Sequence, residues 1–232
     1  MQGLNMRTGL AATVTLGNAG CGFAGILVLA LSGREAIPTA IGLIFAAWLC
    51  DTFDGMVARR LGVAGPFGAV LDSVCDVISF GVLPALITVI GATDAIPWLV
   101  AAASSGLYLA AALLRLSRYT VKAVGGASDD VRLWFEGLSS PAAAMAVGAT
   151  ALALPAWCSA MTAIGGLLMV SSVPYPDLTK FYLRRAVPLW TLALPAACAA
   201  AFAWTTVLLG CFIFYIVAAP VVFRRMSPAP LE

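Results

Sequence analysis

Long apolar runs, each near the ~20 residues that a helix needs to cross hydrocarbon, alternate with short polar clusters along this chain. On that spacing helices are predicted at residues 9–31, 36–61, 66–91, 95–117, 140–155, 157–173, 187–205 and 206–223. The fifth and sixth are short and meet around Pro155, so they read as two spans or as a re-entrant hairpin. The last two are joined with almost no polar residue between Phe202 and Leu209. The expected fold is therefore all-α: a polytopic transmembrane helix bundle of about eight helices, six at the least. It forms a single domain over residues 1–232.

Composition agrees with that pattern, since 62% hydrophobic residues, 10% charged residues and a mean hydropathy of +0.99 exclude an ordinary soluble domain. The apolar run after MQGLNMRTG continues past signal-peptide length without a small-residue cleavage site and reads as a retained first span. Six cysteines fall inside apolar runs, with no CxxC pair and no histidine to complete a soft-metal site, so they read as packing residues. Without histidine, a general base must be Asp, Glu, Tyr, Lys or a metal-bound oxygen. A net charge of +2 gives no reason to expect a nucleic-acid partner.

The placement of charge says more than its sum. With the N-terminus inside, Arg7, Arg59, Arg60, Arg115, Arg118, Lys122, Arg132, Lys180, Arg184, Arg185, Arg224 and Arg225 fall on the cytoplasmic side, and of the 13 basic residues Arg34 alone lies outside. Cytoplasmic loops collect Lys and Arg, so both termini are expected in the cytoplasm and the protein in the cell membrane. Residues 119–138 and 172–187 are then the two sizeable cytoplasmic connections. The second mixes Tyr175, Phe181 and Tyr182 with Lys180, Arg184 and Arg185, as a segment lying on anionic membrane lipid would, or simply a basic loop with interfacial aromatics.

Against this background residues 51–76, DTFDGMVARRLGVAGPFGAVLDSVCD, stand out: Asp51, Asp54, Asp72 and Asp76 are four of the chain's 11 acidic residues. A carboxylate among apolar helices is costly, so it faces a cavity or a partner and marks a site. At helical spacing Asp51, Asp54, Gly55, Ala58 and Gly62 share an arc of about 100°, with Arg59 at its edge. Gly65-Pro66 supports a turn, after which Gly68, Asp72, Asp76 and Ser79 share an arc of about 80°. Helices joined so tightly must face each other, which allows the two acid pairs to converge at one depth. Carboxylates without His or Cys select hard divalent cations, Mg²⁺ or Mn²⁺ beside phosphate, and four are enough for two ions. Gly55, Ala58 and Gly68 leave room for a large ligand, and Arg59 can meet a phosphate oxygen. An isolated DxxD at a helix end is commonly a solvated terminus, small residues on membrane helices commonly serve packing, and a boundary arginine is commonly an anchor. It is their joint placement on two facing arcs that points to a site.

The stretch fits DxxDGxxARx8GxxxDxxxD at every fixed position, and so resembles the CDP-alcohol phosphotransferase family. The resemblance extends to TLGNAGCGF at 15–23, SFGVLPA at 79–85, LRLSRYT at 114–120, FEGLSSPAAA at 135–144 and SSVPYP at 171–176, which look like the bacterial and archaeal phosphatidylserine synthase branch. It implies a membrane transferase that moves a phosphatidyl group from CDP-diacylglycerol, or an archaeal ether analogue, to L-serine and releases CMP, and it implies a homodimer. By the same resemblance Asp51, Asp54 and Asp72 are metal ligands, Asp76 is a ligand and the catalytic base, and Gly55, Ala58, Arg59 and Gly68 line the CDP site.

Four further residues are candidates for acceptor or nucleotide contacts. Arg115 and Arg118 suit a serine carboxylate or anchor the end of helix four. Asn18 either reads cytosine or hydrogen-bonds between helices, and Ser79 completes the second acidic arc. Two other functions fit parts of the pattern: a sibling enzyme that uses glycerol 3-phosphate or inositol phosphate, and a cation-coupled transporter. Transport sites lie near the bilayer midplane, whereas these acids lie within about two turns of Arg59 and Arg60.

Overall fold

The computed structural model describes residues 6–63, 65–92, 96–125, 134–176 and Ile216. Apart from Ile216, the predicted helices at 187–205 and 206–223 lie outside the described residues, as do the middle of the 119–138 connection and most of 172–187. Among the described residues the chain is mostly helical: α1 (Met6–Ser32), α2 (Ile37–Leu61), α3 (Pro66–Gly91), α4 (Trp98–Val124), α5 (Ser140–Ala153) and α6 (Cys158–Val170). Three helical runs, Thr8–Leu61, Pro66–Gly91 and Trp98–Val124, are long and apolar enough to cross a membrane. The first bends through a 3-10 turn at Gly33–Ala36, where Gly33 takes a φ of 58°. Arg34 in this turn donates to the Ile90 and Ala92 carbonyls at the end of α3, which have no helical donors left. Many exposed side chains are large and apolar, Leu10, Phe23, Leu27, Trp98 and Leu107 among them, a surface suited to hydrocarbon.

Two features differ from the sequence expectation. Helix α4 runs on to Val124, into the expected loop, because neither Gly nor Pro occurs between Gly106 and Gly125. A short antiparallel ribbon, β1 (Trp134–Glu136) with β2 (Pro174–Pro176), also joins two connections that read as loops. Gly137, at φ 82°, follows the ribbon; its N–H donates to the Val173 carbonyl at 2.9 Å and the Leu138 N–H to that of Leu168 at 3.0 Å. These bonds fix the entry to α5 against the exit of α6.

Small residues set the packing. From Ala143 to Ala151 every residue of α5 is buried, and Gly148 lets Ile41 of α2 approach to where a Cβ would stand 2.8 Å from its Cγ1. Helix α3 touches α1, α4 and α5. It runs parallel to α1, with Asn18 beside Asp76, Gly22 beside Ser79 and Gly25 beside Leu83, while α2 runs antiparallel to both. At Gly22 a Cβ would stand 2.8 Å from the Ser79 Cα, so any side chain there pushes α1 off α3. Gly22→Ala should therefore cost about 1–3 kcal/mol by overpacking, measured as a lower thermal midpoint of the purified protein. Gly20→Ala, where nothing lies within 4 Å, should leave that midpoint unchanged.

Halfway along, α3 opens into a π-helical turn over Val77–Val82. Pro84 has no N–H to give the Phe80 carbonyl four residues earlier, and its ring would press on that carbonyl in regular geometry. The helix widens instead, and the hydroxyl of the fully buried Tyr108 on α4 donates to Phe80 O at 3.0 Å. Such turns often lie at functional sites; this one begins at the residue after Asp76.

Candidate active site

Helix α2 ends where Gly62 adopts the left-handed conformation (φ 67°): its N–H bonds to Arg59 O at 3.2 Å and that of Val63 to Ala58 O at 3.0 Å. This paired closure is a Schellman cap. Pro66 then opens α3, its fixed φ suiting a first helical turn. The short reversal sets the acidic arc of α2 against that of α3, as the spacing of the aspartates predicts.

Asp51, Asp72 and Asp76 each offer a carboxylate oxygen, and these atoms all lie within 4.8 Å of one another. Asp76 is 7% exposed, and its Oδ1 accepts a 2.8 Å bond from Asn18 Nδ2. Asn18 is held in turn by Ser79, whose hydroxyl donates to the Asn18 backbone carbonyl at 2.9 Å. Asp54 stands apart from the three-oxygen group: it is 6% exposed and lies near the Thr15 side chain. Asp54 Oδ2, Asp72 Oδ1 and Asn18 Oδ1 are buried without a hydrogen-bond partner. Burying carboxylate oxygens with no donor is costly, and hard divalent cations are the ligands that would satisfy those of Asp54 and Asp72. The residues fit such an ion.

The remaining candidates ring this cluster. The Arg59 guanidinium folds back over Gly55, where a Cβ would stand 3.3 Å from its Nη1. Gly68 is exposed, with open space where a side chain would be, and Ala58 lies partly buried one turn beyond Asp54. Arg115 directs its charge toward Asp51, and its Nη1 donates to Ser140 Oγ at 2.9 Å. Arg118 reaches the Val170 carbonyl at 3.4 Å, a long bond at the end of α6. The Thr120 hydroxyl donates to Ser73 Oγ at 2.5 Å, tying α4 to the α3 turn that carries Asp72.

With this geometry in view, the sequence profile described as CDP-alcohol phosphatidyltransferase matches residues 8–175. The chain belongs to the CDP-alcohol phosphatidyltransferase family. Three relatives illustrate the likeness. The CDP-diacylglycerol–serine O-phosphatidyltransferase of Mycobacterium tuberculosis is 30% identical over 191 residues, 77% of this chain and 65% of that protein. The archaetidylserine synthase of Methanothermobacter thermautotrophicus is 36% identical over 169 residues, 68% of this chain and 66% of that protein. The CDP-diacylglycerol–serine O-phosphatidyltransferase of Bacillus subtilis is 29% identical over 168 residues, 72% of this chain and 89% of that protein. The chain thus spans just under two thirds of the mycobacterial relative's length.

In this chain the flanking runs noted in the sequence gather around the acids. Residues 15–23 and 79–85 meet at Asn18, Gly22 and Ser79, while 114–120 reaches 135–144 through Arg115 and Ser140. Residues 171–176 pair with the start of 135–144 through the ribbon. Three contributors escaped the sequence reading: the π turn, Tyr108 and the Asn18–Asp76 bond. Pro84 within an apolar helix was the available signal for the first.

Proposed function

We propose that the chain is a phosphatidylserine synthase that moves the phosphatidyl group of CDP-diacylglycerol, or of an archaeal ether analogue, to the hydroxyl of L-serine. The observation that carries this reading is the convergence of the Asp51, Asp72 and Asp76 oxygens within 4.8 Å. Family membership and the serine-using enzymes among its relatives support it. The proposed frame is one domain over residues 1–232 with about eight helices, both termini cytoplasmic, the site at the inner face of the cell membrane, and two copies paired as a homodimer. The basic residues at the α2 terminus favour this placement over a midplane transport site.

In the proposed reaction the serine oxygen bonds to the lipid-side phosphorus, the bond from that phosphorus to the bridging oxygen breaks, and CMP leaves with the electron pair. Asp76 takes the hydroxyl proton. Asn18 fixes the Asp76 carboxyl through one oxygen at 2.8 Å, and the other oxygen is the proposed acceptor. Arg59 steadies the nucleotide phosphates, and the bare surface of Gly55, Ala58 and Gly68 admits the CDP group. Two divalent cations, Mg²⁺ or Mn²⁺, held by Asp51, Asp54, Asp72 and Asp76, would supply neutralisation of the diphosphate charge. Arg115, beside Asp51 and Ser140, is the proposed partner of the serine carboxylate, with Arg118 as a second cation at that mouth.

Acceptor choice is tested by giving membranes CDP-diacylglycerol with labelled serine, glycerol 3-phosphate or inositol phosphate in separate reactions. Label should enter lipid from serine alone. Incorporation from either phosphorylated alcohol, with none from serine, would assign the chain to a sibling activity.

A further inference from the structure

Asn18 on α1 is a buried amide of which the proposed reaction uses one end only. Its Nδ2 donates to Asp76 Oδ1 at 2.8 Å, and the residue is 0% exposed. That bond also fixes which end of the amide is oxygen, because the reversed amide would set two acceptors against each other. The backbone of Asn18 is held as firmly: Ser79 Oγ donates to its carbonyl at 2.9 Å, and Gly22, one turn further along α1, packs bare against Ser79. Yet Asn18 Oδ1 meets no donor among the described residues. Holding Asp76 needs the Nδ2 end alone, and a buried oxygen left over is destabilising until something binds it.

We infer that Asn18 Oδ1 is a metal ligand, a neutral oxygen by which α1 joins the carboxylates of α2 and α3 in holding a divalent cation. The inference rests on the metal reading of the aspartates and adds a third helix and a second ligand type to it. Asn18 is bonded to Asp76, one of the three carboxyls whose oxygens lie within 4.8 Å of one another. Hard cations take amide carbonyl oxygens beside carboxylates. A neutral oxygen fills a coordination position without adding to the like charge already gathered there. The two ends of the amide also reinforce each other: donation to the Asp76 carboxylate draws electron density onto Oδ1, and a cation on Oδ1 strengthens the Nδ2 donor. Asn18 thereby both orients one ligand and supplies another.

The test uses Mn²⁺ alone, with the full-length protein in lipid nanodiscs and no substrate. The chain has two asparagines, Asn5 and Asn18. Asn5→Gln leaves Asn18 as the one asparagine, and cell-free synthesis with asparagine ¹³C-labelled at the side-chain carbonyl then marks that atom alone. Electron–nuclear double resonance on the bound Mn²⁺ should show a ¹³C coupling as strong as that from protein labelled at its aspartate carboxyls, and absent from unlabelled protein. Bound Mn²⁺ with no such coupling, or a distinctly weaker one, overturns the inference while the aspartate site stands. No bound Mn²⁺ overturns both, so the two failures are told apart by the bound-ion signal itself. The label leaves the side chain in place, and misfolding therefore imitates neither result. In Asn18→Leu, close in size but without the oxygen, Mn²⁺ affinity should fall about 10–100-fold; unchanged affinity likewise overturns the inference. None of these readings depends on turnover, so the choice of acceptor alcohol does not enter them.

Discussion

Asp76→Asn is expected to abolish CMP release while the protein still folds and inserts. The substitution keeps the shape of the side chain and an oxygen able to accept the 2.8 Å bond from Asn18, so the local structure survives. It also removes one negative charge from a close group of three carboxylates, of which Asp76 is buried, and so relieves repulsion. What it takes away is the proposed proton acceptor, a loss of roughly 10²–10⁴-fold in rate, together with a proposed metal ligand. Turnover of CDP-diacylglycerol with labelled serine, set beside the thermal midpoint of the same preparation, measures both halves. Near-normal turnover, or a collapse in the midpoint, would contradict the assigned role.

Chelation is expected to have an effect of similar size. Asp54 Oδ2 and Asp72 Oδ1 are buried without donors, beside the converging oxygens of Asp51, Asp72 and Asp76. Among the described residues Arg59 and Arg115 are basic residues near them, and Arg59 lies over Gly55. The charge balance thus favours a divalent ion, and EDTA should reduce CMP release to background. Excess Mg²⁺ or Mn²⁺ should restore it. A cation that binds the folded state alone also stabilises it, by about 2.7 kcal/mol at a hundred times its Kd, so the midpoint should rise with Mn²⁺ in wild type and hardly move in Asp72→Asn. Activity that persists through exhaustive chelation would remove the metal from the account.

Much of this site was legible before any coordinates. Helical spacing alone sets Asp51 and Asp54 on one arc and Asp72 and Asp76 on another, and Gly65-Pro66 announces the reversal that makes the arcs face. Six of the expected helices lie within a few residues of their predicted positions, except for the α4 terminus at Val124. Apolar length is a strong signal, but a helix that leaves the membrane keeps its backbone pattern while losing its hydropathy. Contacts set by tertiary packing were not legible. Asn18 could read a base or bridge helices, and only the parallel register of α1 on α3 brings its amide to Asp76. Gly22 resembles any small residue on a membrane helix until Ser79 lies against it. The π turn requires both Pro84 and a donor from elsewhere, and Tyr108 lies 28 residues from the carbonyl it satisfies. Asp54 shares its arc with Asp51, yet it stands outside the group of converging oxygens.

The central claim is that these aspartates hold divalent cations, and Mn²⁺ binding to the purified protein, followed by electron paramagnetic resonance without substrate, tests it most directly. Wild type should remove free Mn²⁺ from solution saturably, and Asp72→Asn should lose that binding while keeping its fold. Indistinguishable Mn²⁺ binding by the two proteins, or none by either, would contradict it.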